Sequence, residues 1–238
     1  MTSRAETEAL RRSDVLKTTL LRAMSHDLRS PLTAIMTSAS ALAEAELLLD
    51  DADRRELSET ILEEAMRLDR LVSNLLDLSR LDAGAISTQL DVSSIDVLLA
   101  KAMDAVQAGR RIDLSLPDEP VLVHADPHQI ERVLVNLIEN ALHHSPATDP
   151  VYVRVRWTRS EAFVCVVDHG PGIAPDELEH IFEPFRRGSR TGGARGAGLG
   201  LAIARGFAEA NRGRVWAESL DGQGAAFVLA LPLAEGPM

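Results

Sequence analysis

The chain has 238 residues, 45% of them hydrophobic and 26% charged, the balance of an ordinary soluble globular protein with room for one large domain or two small ones. Its formal net charge of −11 argues against a phosphate-backbone binder, because nucleic-acid affinity rests mainly on Lys and Arg. The single cysteine, Cys165, lies in the apolar run FVCVV and excludes an internal disulfide, and no apolar run approaches the roughly 20 residues of a membrane-spanning helix; a cytoplasmic location is expected, with any membrane anchor in a preceding part of a longer protein.

From about Thr7 to Ala45 the sequence is helix-forming, with Leu10, Leu16, Leu20, Ala23, Leu28 and Ile35 at mixed three- and four-residue intervals. Inside it, Pro31 follows His26 by five residues; lacking an amide N–H, it would leave the Asp27 carbonyl without its helical partner and bend the helix just past the histidine. After the acidic turn LLLDDADRR, apolar residues recur at near-heptad spacing at Leu57, Ile61, Ala65, Leu68, Leu71, Leu75 and Leu78, and stop at Asp82-Ala83-Gly84. Two antiparallel helices with one apolar stripe each cannot close a core alone, so two such hairpins pairing as a four-helix bundle, a homodimer, are expected.

Beyond Gly84, short strand-like runs alternate with helices. Residues 112–116 and 121–124 read as strands, 126–144 as a helix, 151–157 and 162–168 as a hairpin, 198–211 as a helix, and 214–218 with 225–231 as a second hairpin. This pattern implies an α+β sandwich. The stretch RRGSRTGGARGAG, residues 186–198, has no apolar period and reads as a mobile loop.

Two glycine clusters bracket that loop. Asp168-His169-Gly170-Pro171-Gly172-Ile173 follows a strand directly, and Gly196-Ala197-Gly198-Leu199-Gly200-Leu201 opens a helix. Glycines admit a phosphate close to the backbone, and a helix N-terminus favours an anion. Neither cluster is a dinucleotide fingerprint or a P-loop: residue 201 is Leu, and no G-K-[ST] ending is present. Asn136 and Asn140, four apart on the helix ERVLVNLIENALHHSP, share one face and offer carboxamide oxygens suited to a hard cation such as Mg²⁺.

The ordered set resembles the sensor histidine kinases of two-component systems. SHDLRSPL is similar to their phosphoacceptor H box, NLIENALHHSP to the N box, DHGPGI to the first glycine box, IFEPFRRG to the F box, GAGLGLAI to the second glycine box and GQGAAF to a third. The resemblance runs from about residue 14 to residue 232 and implies a dimerisation and phosphotransfer hairpin, residues 1–84. It further implies an ATP-binding sandwich of the gyrase-type ATPase fold, residues 85–238, with a lid over about 182–200.

Under this resemblance Asp168 hydrogen-bonds the adenine amino group, and Asn140 ligates Mg²⁺ with Asn136 assisting. Gly170, Gly172, Gly196, Gly198 and Gly200 shape the pocket and lid, with Ile173, Leu199 and Leu201 completing their boxes. Phe182 and Phe185 anchor the lid, and Arg186 and Arg187 pair with phosphate oxygens. His143-His144 stands where the family often has Lys-Tyr, so base stacking and a phosphate contact fall to imidazoles of conditional charge. The neutral imidazole of His26 is a competent nucleophile for the γ-phosphorus of ATP, and Asp27 is assigned as the group that orients the ring and takes its proton. Ser30, one turn after His26, replaces the usual Thr that holds a water during dephosphorylation of the partner, a response regulator receiver domain. A gyrase-like ATPase is the lesser expectation, since the position that holds a water-activating glutamate in those relatives is Asn136. A silent nucleotide-binding scaffold is the third.

Overall fold

The computed structural model describes residues 27–44, 49–106, 111–186, 197–219 and 222–234. Of the candidate residues, His26, Arg187 and Gly196 lie outside these, as does most of the glycine- and arginine-rich loop. Contacts divide the chain into two units, Met1–Leu76 and Asp77–Met238.

In the first unit, helix α1 (27–43) continues through a buried Pro31. Helix α2 (Asp51–Asp82) begins where the Asp50 carboxylate accepts hydrogen bonds from Ala52 N and Asp53 N, both at 2.8 Å, satisfying two of the amides a helix start leaves open. None of the residues of α2 is buried. Leu57, Ile61, Leu68, Leu71 and Leu75 are half-buried and Ala65 is exposed. Leu62, Met66, Val72 and Leu76 form a further apolar row that is 38–60% exposed, and Leu32 and Met36 stand out from α1 in the same way. Large apolar side chains at this density along a helix mark an interaction surface.

The second unit is a two-layer α+β sandwich. Its elements after α2 are β1 (Asp91–Ser94), α3 (Ile95–Val106), β2 (Ile112–Ser115), β3 (Leu122–Ala125), α4 (Pro127–His144), β4 (Val151–Trp157), β5 (Glu161–Val167), α5 (Gly200–Ala210), β6 (Arg214–Ser219) and β7 (Ala225–Pro232). A five-stranded sheet has the order β2-β4-β5-β7-β6, with β2 parallel to β4 and the other pairs antiparallel; β1 and β3 form a separate antiparallel pair. The period-two pattern sends Val151, Val153, Val164, Val166, Phe227, Leu229 and Leu231 inward, all buried, against a layer in which α4 packs on both α3 and α5. The other sheet face carries Tyr152, Arg154, Phe163, Cys165 and Trp216, with Phe163 and Trp216 edge to face at 6.4 Å. Cys165 is half-buried there, and burial pushes its thiol pKa up, which makes it a structural thiol and a poor nucleophile.

Among the described residues no helix is long and apolar enough to cross a membrane.

Candidate functional site

Helix α4 positions most of the site, and its start is fastened by a buried polar network. Pro127 occupies the first turn, and the Asp126 side chain caps the helix by accepting from His128 N at 3.0 Å and Gln129 N at 3.2 Å. The fully buried Asn211, at the end of α5, accepts from Asp126 N at 2.6 Å and donates to Gln129 Oε1 and Phe207 O, each at 2.8 Å. The network also reaches the segment after α2, since Gln89 N donates to Asp126 Oδ2 at 2.9 Å and Gln129 Nε2 donates to Ser87 O at 3.1 Å. The start of α4 is thus joined to the end of α5, and the start of α5 lies beside the middle of α4.

At that second meeting point stands Asn136. It is buried, its Nδ2 has no hydrogen-bond partner among the described residues, and its Oδ1 lies 3.0 Å from where a Cβ on Gly200 would sit. A buried amide donor left without an acceptor costs about 1–3 kcal/mol, so its retention points to an acceptor that arrives with a ligand. Among the described residues no side chain caps the first turn of α5: Leu199 is the cap residue, buried, and supplies no side-chain acceptor. Uncapped amides and the helix dipole favour an anion here. One turn along α4, Asn140 is half-buried and its carboxamide makes no hydrogen bond among the described residues, leaving an oxygen for a hard cation.

A second polar focus lies against the end of the same helix, at His144, about 12 Å of helix rise beyond Asn136. Asp168, at the end of β5, is buried; its Oδ1 accepts from Gly170 N at 2.8 Å and Ala225 N at 3.2 Å, and no described residue donates to Oδ2. Burial pushes this carboxyl pKa up, opposed by the two amide donors. Gly170 allows the turn to press against α4: an added Cβ would meet the carbonyl oxygen of His144 at 2.8 Å and Asp168 Oδ1 at 2.9 Å. The His144 ring is half-buried, and burial, followed by the neighbouring His143, holds its pKa below 6.5, so it is mainly neutral at pH 7. His143 is exposed and meets the His144 ring edge to face at 5.1 Å.

The structure therefore brings Asn136 to Gly200, and Asp168 and Gly170 to His144. Gly172 and Ile173 continue the Asp168 turn, and Ile173 N donates to Ser219 Oγ at 2.8 Å. Phe182 is buried with the Arg205 guanidinium 5.9 Å from its ring centre, whereas Phe185 is half-buried, with its N–H donating to Gly198 O at 2.7 Å. Arg186 is exposed and paired with Glu183 at 3.0 Å, and Leu201 is half-buried in the first turn of α5. Asp27 is half-buried and Ser30 exposed on α1.

Residues 133–138 are buried on every side of α4, so Asn136 sits inside the fold and not on a solvent-facing side of the helix. Sequence reasoning passed over Ser145, whose Oγ accepts from His169 N at 3.1 Å, and Ser219, whose Oγ also donates to Gly224 O at 2.7 Å. A serine beside a turn is too common a signal to have found either.

A family model described as Histidine kinase-, DNA gyrase B-, and HSP90-like ATPase matches residues 125–235, and one described as His Kinase A (phospho-acceptor) domain matches residues 16–84, which include His26. The chain is similar to Sensor protein KdpD of Mycobacterium tuberculosis, 36% identical over 239 residues that cover 97% of this chain and 27% of KdpD; it thus spans about a quarter of that relative's length. Acinetobacter baumannii histidine kinase AdeS has a similar structure, with a TM-score of 0.65 at 23% identity over 88% of this chain and 98% of that one. Full-length ShkA in complex with AMPPNP gives a TM-score of 0.62 at 27% identity over 93% of this chain and 47% of that one.

Proposed function

Because the chain belongs to the sensor histidine kinases of two-component systems, we propose that it is the catalytic core of such a sensor, an ATP-dependent protein-histidine kinase that phosphorylates His26 and passes the phosphoryl group to an aspartate on a response regulator receiver domain. Residues 1–84 form the dimerisation and phosphotransfer module and residues 85–238 the ATP-binding module. The observation that carries this reading is Asn136, a buried amide donor without an acceptor among the described residues, at the start of α5, where no described side chain caps the helix. A triphosphate supplies that acceptor, and the ligand in the similar ShkA structure is a nucleotide triphosphate analogue.

The two polar foci along α4 divide the nucleotide between them. Asp168 Oδ2 accepts from the exocyclic amino group of adenine, with Oδ1 already held by two backbone amides. Asn136 and the first turn of α5 receive phosphate oxygens, and the lid from Phe182 to Gly200, including Arg186, Arg187 and Gly196, closes over them. Asn140 is the residue suited to hold Mg²⁺, with Asn136 assisting; when bound, the ion offsets charge on the phosphates. In the chemical step the neutral ring nitrogen of His26 attacks the γ-phosphorus in line. A P–N bond forms, the bond to the β,γ-bridging oxygen breaks, ADP leaves, and Asp27 accepts the ring proton. Ser30, exposed on α1, holds a water for dephosphorylation of the regulator in this reading, an activity that Ser30→Ala should reduce. The exposed apolar rows of α1 and α2 support a homodimer.

The test is incubation of the purified chain with γ-labelled ATP and Mg²⁺. Acid-labile, alkali-stable label on the protein, absent from His26→Gln and Asn140→Asp, supports the kinase. Free phosphate in its place selects an ATPase, and neither product selects a scaffold.

A further inference from the structure

We propose that Arg111, which precedes β2 and belongs to none of the motif boxes, is a positioning residue for the adenine end of the site: it locks the end of α4 against the turn that carries Asp168. The inference rests on the nucleotide reading above.

The last carbonyls of a helix have no partners within it. At the end of α4, Arg111 Nη2 donates to Pro146 O at 3.0 Å and, at the longer distance of 3.5 Å, to Ser145 O, while Nη1 reaches Leu142 O at 3.4 Å. A guanidinium gathers three carbonyls from one fixed fork, which an ammonium cannot do, and its charge suits the negative end of the helix dipole. The side chain gives up something for this: its Nε is buried and has no hydrogen-bond partner among the described residues. Such an arrangement holds the two terminal nitrogens on their carbonyls at the expense of the third.

The residues held in this way form one wall of the site. Ser145 Oγ accepts from His169 N, the His144 carbonyl oxygen fills the space a Cβ on Gly170 would occupy, and Gly170 N in turn fixes Asp168 Oδ1. If the 144–146 turn moves, His169 and Gly170 move with it, and the carboxylate loses its aim.

The test uses the full 238-residue chain as wild type, Arg111→Gln and Arg111→Lys, with calorimetric titration of Mg·AMPPNP and of Mg·ITP, whose base lacks the amino group. Arg111→Gln is expected to weaken AMPPNP binding roughly tenfold and ITP binding about twofold or less, with Arg111→Lys intermediate. A purely structural role lowers the melting temperature and leaves the AMPPNP-to-ITP ratio unchanged; that result in the folded variant overturns the proposal while the nucleotide reading stands. Should Arg111→Gln fail to fold, the ratio in Arg111→Lys decides on the same terms. Wild type that binds neither nucleotide overturns both.

Discussion

Replacing Gly224 by alanine separates two ways in which a glycine can matter here, with Gly222→Ala as the internal control. Both residues have positive φ, 86° and 72°, so a side chain at either costs about 1–2 kcal/mol in backbone strain. Nothing lies within 4 Å of a Cβ on Gly222, whereas a Cβ on Gly224 would sit 2.0 Å from the carbonyl oxygen of Asp168, far short of ordinary contact at 3.4–4 Å. The two segments must part, and the bonds from Asp168 N to Ala225 O at 2.9 Å and from Ala225 N to Asp168 Oδ1 at 3.2 Å are the ones that break. With about 1 kcal/mol for each bond and more for the buried groups left unpaired, Gly224→Ala is expected to cost about 3–5 kcal/mol. For a unit the size of Asp77–Met238 that lowers the melting temperature by about 6–20 °C, against about 2–8 °C for the control. The nucleotide effect is sharper: a displaced Asp168 should weaken Mg·AMPPNP binding up to about 100-fold, while Gly222→Ala leaves it within about twofold. Calorimetric melting and titration of the two variants side by side provide the measurement. Equal affinities, or equal melting shifts, would refute the reasoning.

Asp168→Asn should abolish adenine-dependent binding yet stabilise the apo-protein at pH 7. A carboxyl pKa raised above 3.8 by burial means that stability is full below that value and is lost as pH rises through the raised pKa, so the gain should vanish in acid when urea midpoints are compared across pH. His144 has the opposite sign. Its folded pKa is lowered from 6.5, so stability present above 6.5 falls as the solution is acidified through the folded value, and His144→Gln should flatten that part of the profile. Asn211→Ala leaves the Asp126 amide unpartnered in the interior and should cost about 2–4 kcal/mol in a denaturant titration; a loss below about 1 kcal/mol would show that water replaces the side chain.

The sequence was most legible where one strong period ran long enough. The seven-residue repeat in α2 stops at the predicted place, and the alternation in VYVRVRW and AFVCVVD sets the β4–β5 hairpin to within a residue of its observed ends. Helix α3 carries the same kind of signal, with Ile95, Leu98, Leu99 and Ala102 buried at helical spacing, and a closer reading of the stretch after Gly84 would have found it. Strand β1 offers no such signal, because DVSS is short, polar and made a strand only by its partner β3. The motif residues were recognisable as types, but their fastenings were not. Arg111 and Leu142, Asp126 and Asn211, Ser219 and Ile173 are joined by folding alone, over separations in sequence that no local pattern encodes.

Asp168 is held by Ala225, at the first position of β7, and β7 pairs along its length with β5. A ribosome releases the polypeptide N-terminal end first, so the nascent chain presents the phosphoacceptor segment well before this last strand has been made. During translation the Asp168 carboxylate therefore lacks the amide that holds it until β7 has been made and has paired with β5.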